Sequence, residues 1–149
     1  MMRSPALLMT AGAIATGSLA VAAAPLKAQD QPVADARPAM VFFPWGKPEI
    51  DRDAAAILDR VVAAIGNNPA VRIRIDGHSD RSGPAASNRR TSLQRANAVR
   101  AYLAQRGVAA SAMATVGHGE DQPIIATEDG VREPQNRRVE IQFGPSTMR

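Results

Sequence analysis

Two short runs in this chain alternate between apolar and polar residues with a strict period of two. Val71, Ile73 and Ile75 are interleaved with Arg72, Arg74 and Asp76, and Val139, Ile141 and Phe143 are interleaved with Glu140 and Gln142. A helix cannot gather either set on one side, so both runs read as strands with a single buried face. Arg72, Arg74 and Asp76 are expected to face outward. Two more apolar runs, 40–43 and 113–116, are short and bounded by breakers such as Pro44, Gly46 and Gly117, which also suits strands.

Between the strands the period changes. Ala54, Ile57, Leu58, Val61, Val62 and Ile65 recur at helical spacing, with Asp51 placed to cap the start and Gly66 to end it. A second helix is expected from the stripe Leu93, Ala96, Val99 and Leu103, with Ser92 as its N-cap and a stop before Gly107. Residues 78–91 and 121–135 read as loops. The order strand, helix, strand, helix, strand, strand predicts an α+β fold: a two-layer sandwich of βαβαββ type, with both helices on one face of a mixed sheet.

Residues 4–26 carry no charge and follow Arg3, with Lys27 and Ala28 ahead of polar Gln29 and Asp30. That pattern predicts an export signal over 1–28 with cleavage after Ala28. Residues 29–38 have linker composition, 39–145 form the predicted domain and 146–149 a tail. The formal net charge of +4 includes Arg3 and Lys27, so the basic bias belongs partly to the leader. The chain has no cysteine, which excludes a disulfide framework, a thiol nucleophile, a cysteine-ligated metal and lipid attachment through cysteine.

The expected start of the second helix is chemically unusual. Ser92 is followed three residues later by Arg95 where Glu or Gln would complete a capping box, and Arg89 and Arg90 lie just upstream. Three cations then stand where the helix dipole favours an anion. Exposed arginines at such a place cost only about 0.3 to 1 kcal/mol each. The functional alternative is that the helix N-terminus and Arg95 together hold a carboxylate or phosphate. At about 100° per residue, Arg95 falls beside the apolar stripe, so its stem can cover apolar surface while its head reaches the rim of the sheet. The loop leaving the second strand, Gly77-His78-Ser79-Asp80, emerges near that rim. Asp80 is therefore a candidate carboxylate facing the Arg95 guanidinium.

The run 74–99, with Gly77-His78-Ser79-Asp80, Gly83, Asn88, Ser92 and Arg95-Ala96, resembles the OmpA C-terminal-like domain, the peptidoglycan-binding module of MotB-type and Pal-type proteins. Asn136-Arg137-Arg138-Val139-Glu140-Ile141 is similar to its closing signature and Phe42-Phe43 to its opening strand, so the resemblance extends over about residues 40–143. It implies non-covalent capture of the diaminopimelate residue of the peptidoglycan stem peptide, with Asp80 accepting from the ammonium and Arg95 forking onto the carboxylate. It also implies pocket support from Gly77, His78, Gly83, Asn88, Ser92, Asn136 and Arg138, with Asn88 ordering the loop or donating to the ligand. The sequence departs from the family pattern at Pro44 and Gly46 around Trp45, and at Thr91.

Other functions fit less well. His78, Ser79 and Asp80 are adjacent in sequence, whereas a nucleophile, base and orienter converge from separate segments, so no enzyme activity is expected. His78, His118, Glu120 and Asp121 lack metal-ligand spacing, and neither metal nor cofactor is expected. The alternative reading is a basic periplasmic protein that binds another anionic ligand, or nucleic acid, through the arginines at the start of the second helix. Arg72, Arg74, Arg89 and Arg90 supply charge for nucleic acid but have no interleaved aromatic platforms, and an export leader argues against that partner. A stator role would need an acidic residue in a spanning helix, and 4–26 contains none. The expected product is an exported protein of the periplasm or the inner face of the outer membrane, with peptidoglycan as its partner and outer-membrane association left open.

Overall fold

The computed structural model describes residues 38–145. The predicted leader, most of the linker and the tail lie outside them.

Four strands, β1 (Ala39–Phe42), β2 (Val71–Gly77), β3 (Met113–Gly117) and β4 (Arg138–Pro145), form one sheet in the order β1-β4-β2-β3. Two helices, α1 (Arg52–Ile65) and α2 (Ala85–Gln105), cover it. β4 pairs antiparallel with both β1 and β2, while β2 and β3 run parallel with α2 as their crossover. This is the α+β two-layer sandwich that the alternation of periods predicts. Val41, Ile73, Ile75, Val139, Ile141 and Phe143 form the sheet side of the core.

α1 begins where its chemistry dictates. The Asp51 carboxylate accepts from the Ala54 amide at 2.8 Å, and Gly66, at a φ of +56°, ends the helix in a conformation that L side chains rarely adopt. Its buried face is Ala54, Leu58, Val61 and Ile65, the stripe expected from the spacing.

α2 corrects two expectations. It starts at Ala85, after an N-cap Pro84 with no side-chain cap, so Ser92 lies inside the helix. Residues 85–91 mix strong helix formers (Ala85, Ala86, Arg89, Arg90) with weaker ones (Ser87, Asn88, Thr91), and apart from the buried Asn88 they face loops and solvent, leaving no apolar stripe to betray the first two turns. Ser92 is fully buried, and its hydroxyl donates to Arg89 O at 2.8 Å while accepting from the Gly119 amide at 2.9 Å. It links α2 to the loop after β3. The cations Arg89, Arg90 and Arg95 are therefore not at the helix start, and the idea of an anion held jointly by Arg95 and the positive end of the dipole loses its geometry.

The inward face of α2 also differs from the predicted stripe. Leu93 is 40% exposed, whereas Ser92, Arg95, Ala96, Val99 and Leu103 are buried. Ala96, Val99 and Leu103 of the predicted stripe are buried as expected, and the difference is confined to its edge, where Ser92 and Arg95 turn inward in place of Leu93. The polar members face inward because the upper end of the helix packs over a polar site.

Asp76 requires a further correction. It shares the outer sheet face with Arg72 and Arg74 but is buried, accepting from Arg74 Nε at 3.0 Å and lying 2.8 Å from His118 Nε2.

Candidate functional site

The site forms where β2 ends. Gly77 has no room for a side chain: a Cβ there would lie 2.0 Å from the Ser92 carbonyl oxygen. This close approach seats α2 directly on the strand end. Beyond it the chain is held by backbone bonds to β4 and to the loop after β3, His78 N donating to Arg138 O and Ser79 N to Gly119 O, each at 2.8 Å. The loop carrying Asp80 is thereby fixed before any ligand arrives.

Asp80 is buried and fully engaged. Its Oδ1 accepts from Ser82 Oγ at 2.6 Å and from Ser82 N at 3.3 Å, and its Oδ2 accepts from Arg137 Nη1 at 3.0 Å and from Glu133 N at 3.3 Å. Burial alone would push this carboxyl up, but donation by the Ser82 hydroxyl and by Arg137, with the Arg137 charge, holds it below the ordinary carboxylate range. Asp80 is thus an anion at neutral pH.

Arg95 is 1% exposed. Its guanidinium donates to three backbone carbonyls: Nη2 to Pro44 O at 3.2 Å, Nη1 to His78 O at 3.4 Å and Nε to Lys47 O at 3.5 Å. It also lies 5.6 Å from the centre of the Phe43 ring. All three bonds are at the long end of the hydrogen-bond range, so much of the donor capacity is weakly used. Burial and the Arg137 charge push Arg95 down to about 10, while Asp80 opposes the shift. It remains a cation at neutral pH.

Asp80 is expected from the sequence to face the Arg95 guanidinium; the carboxylate's direct cationic partner is Arg137. Arg137 holds Asp80, and Arg95 faces both through space, so two guanidiniums attend one carboxylate. Arg137 is itself anchored by Nε to Phe43 O at 3.1 Å. Period-two alternation counted back from Val139 places residue 137 on the core side of the sheet, which is the signal that could have found it.

Arg138 points away from this group. Next to core-facing Val139, it lies on the outer face, where Nε donates to Glu140 Oε1 at 2.7 Å and Nη2 to Gln122 O at 3.2 Å. The other candidates order loops. Asn88 donates to Gly83 O at 3.1 Å and to the Glu120 carboxylate, tying the turn before α2 to the loop after β3. Asn136 accepts from the amides of Ile124 and Ile125 and donates to Ile125 O, fastening the long loop before β4. Ser82 and Glu133, which touch Asp80, carried no sequence signal beyond their loop positions.

His78 is a buried imidazole on the outer face, stacked on His118 with ring centres 5.0 Å apart. Among the described residues neither ring nitrogen has a hydrogen-bond partner. Burial, aided by the charges of Arg138 and His118 and opposed by Glu140 and Asp76, lowers it from 6.5 to about 4. The unfolded chain then takes up a proton between those values while the folded chain does not, so stability falls as pH drops through that window and levels off below it. The expected loss is about 3 kcal/mol in unfolding free energy. Urea unfolding at pH 7, 5.5 and 4 measures it, and His78→Leu is expected to remove this part of the slope.

Residues 42–137 match the OmpA family. The chain is 32% identical over 103 residues to the peptidoglycan-associated lipoprotein of Haemophilus influenzae, covering 69% of this chain and 67% of that protein. It is 37% identical over 112 residues to an outer membrane protein of Gluconacetobacter diazotrophicus, covering 71% of this chain and only 30% of that protein. The fold is similar to the crystal structure of the peptidoglycan-associated lipoprotein from Burkholderia pseudomallei, with a TM-score of 0.66 and 27% identity over 70% of this chain and 89% of that one.

Proposed function

Because the chain belongs to the OmpA family, we propose that it binds peptidoglycan non-covalently at the cell wall, through the diaminopimelate residue of the stem peptide. The observation that carries this reading is the placement of two buried, oppositely charged groups at one end of the sheet. Asp80 is kept ionised by Ser82 and Arg137, and Arg95 is a cation whose bonds are all long. Free diaminopimelate heads carry both charges on one carbon. Their ammonium replaces the weaker backbone donors at 3.3 Å on Asp80, and their carboxylate takes the in-plane N–H groups of Arg95.

This grip needs no catalytic group. His78 is held neutral with its ring on the outer face, and the chemistry required is recognition of a zwitterion. Charge-assisted bonds worth about 1.5 to 3 kcal/mol each give an affinity of the order of micromolar to millimolar. That is sufficient on a wall that presents the same peptide densely, because release is followed by rebinding nearby. The names of the relatives, an outer membrane protein and a peptidoglycan-associated lipoprotein, support a place in the cell envelope. Residues 1–28, read from their sequence as an export signal ahead of the wall-binding domain 39–145, fit that place. Among the described residues no helix is long and apolar enough to cross a membrane.

Co-sedimentation of the full chain with purified sacculi tests this reading. Sacculi whose stem peptides carry diaminopimelate are expected to pellet the protein, and sacculi with lysine at that position, which lack the free amino-acid head, to leave it in solution. Equal pelleting with both removes diaminopimelate as the ligand, and no pelleting with either removes wall binding.

A further inference from the structure

Three segments meet just outside the Asp80 carboxylate: the turn after β1, residues 80–82, and the end of the long loop before β4. Trp45, in the Pro44–Gly46 turn that departs from the family pattern, donates through Nε1 to Ser82 Oγ at 3.1 Å. Ser82 Oγ in turn donates to Asp80 Oδ1 at 2.6 Å. From the other side the Glu133 amide reaches Asp80 Oδ2 at 3.3 Å, which brings its neighbour Arg132 to the same rim. The Arg132 guanidinium carbon lies 3.9 Å from the centre of the Trp45 ring, and Trp45 is 52% exposed.

Two other guanidiniums lie over rings, but both are otherwise engaged: Arg106, on Tyr102 at 3.4 Å, also bonds the Asp59 carboxylate, and Arg95, 5.6 Å from the Phe43 ring, donates to three backbone carbonyls. Arg74, Arg81, Arg89, Arg106, Arg137 and Arg138 each sit within ion-pair distance of a carboxylate. Among the described residues Arg132 has no such partner and rests on an aromatic face. A guanidinium stacked over a ring uses its π surface, so its N–H groups stay in plane and free to fork onto a carboxylate. Stacking also restricts a long side chain beforehand, which reduces the entropy lost when a ligand is bound. The hydrogen-bond chain from Trp45 through Ser82 to Asp80 fixes this platform relative to the anionic half of the site.

We infer that Arg132, held flat on Trp45, is a second carboxylate-binding point at the mouth of the Asp80 and Arg95 site, and that it takes another acidic group of the same peptide. The inference rests on the proposed diaminopimelate reading and adds a requirement to it: the ligand is an acidic peptide and not an isolated amino-acid head. In a stem peptide the acidic group adjoining diaminopimelate is the glutamate carboxylate.

Calorimetry on the full chain with two synthetic stem tripeptides separates the two ideas. The tripeptides are identical except that the glutamate carboxylate is free in one and amidated in the other. The wild type is expected to bind the free acid about tenfold more tightly. Arg132→Gln is expected to lose that preference while keeping its affinity for the amidated peptide. Trp45→Leu, which removes the platform, is expected to lose most of the preference, and Trp45→Phe, which keeps a ring, to retain most of it. Asp80→Asn is expected to weaken both peptides alike. A wild type with equal affinity for the two peptides, or an Arg132→Gln variant that still discriminates, overturns the second binding point and leaves the zwitterion grip standing. Failure of the wild type to bind either peptide overturns both.

Discussion

Gly77→Ala is expected to cost at least about 3 to 5 kcal/mol of stability, enough to leave a domain of this size largely unfolded at moderate temperature. The added methyl would stand 2.0 Å from the Ser92 carbonyl oxygen and 2.7 Å from its carbon. Both are backbone atoms of a helix packed along its length, so no rotamer change relieves the clash and β2 must part from α2. The consequence reaches the site, because Arg95, one turn beyond Ser92, meets the His78 carbonyl only while α2 lies this close. Gly83→Ala is the control. Its nearest contact would be the Asn88 side chain at 3.5 Å, and it is expected to change stability by less than about 1 kcal/mol. Urea unfolding of the three proteins checks the result, and a Gly77→Ala midpoint near that of wild type would refute the packing described.

Asp80→Asn is expected to lower affinity for peptidoglycan by about a hundredfold, the loss of two charge-assisted bonds at a buried site. The substitution keeps the shape of the side chain but removes the charge that an ammonium seeks and leaves Arg137 without its anion. Stability is therefore expected to fall as well, by about 2 kcal/mol. Arg95→Gln is expected to weaken binding to a similar degree. If one zwitterionic head is gripped by both groups, the double variant binds little worse than either single one, because the head has already been released. Independent, additive losses would show that the two side chains act on separate groups. Sedimentation with sacculi, with circular dichroism to confirm folding, measures all three variants. Acid has the same sign of effect: the Asp80 carboxyl is held below the ordinary value of 3.8, so its contribution is complete above that value and is lost as pH falls through its lowered one.

The elements with one apolar face were readable from the chain. The alternation at 71–76 and 138–143 marks the central strands, and the spacing from Ala54 to Ile65, capped by Asp51, marks α1. The early part of α2 was not readable, because its first two turns lie over loops and their inward residues are polar. The same cause hid the polar members of the inner stripe beside Ala96, Val99 and Leu103: Ser92 and Arg95 face inward to bond the Gly119 amide and the carbonyls of Pro44, Lys47 and His78, and polarity at those positions mimics a solvent face.

The site was legible in identity more than in pairing. Asp80 and Arg95 stand at the same end of the sheet, but which cation touches Asp80 depends on whether residue 137 or 138 turns inward. The register of β4 decides for Arg137: Val139 pairs with Gly77 and Val41 and is itself core, so Arg138 must face outward, to Glu140. Trp45, Ser82 and Arg132 come from three distant segments, and no local pattern connects them.

Displacement by free meso-diaminopimelate is the most direct measurement of the grip on a zwitterionic head. Protein bound to sacculi is expected to be released as meso-diaminopimelate is raised through the micromolar to millimolar range, roughly its affinity for a single head, while diaminopimelate blocked at both amino groups releases none. Equal release by the blocked and free forms, or retention at saturating free diaminopimelate, would contradict the account.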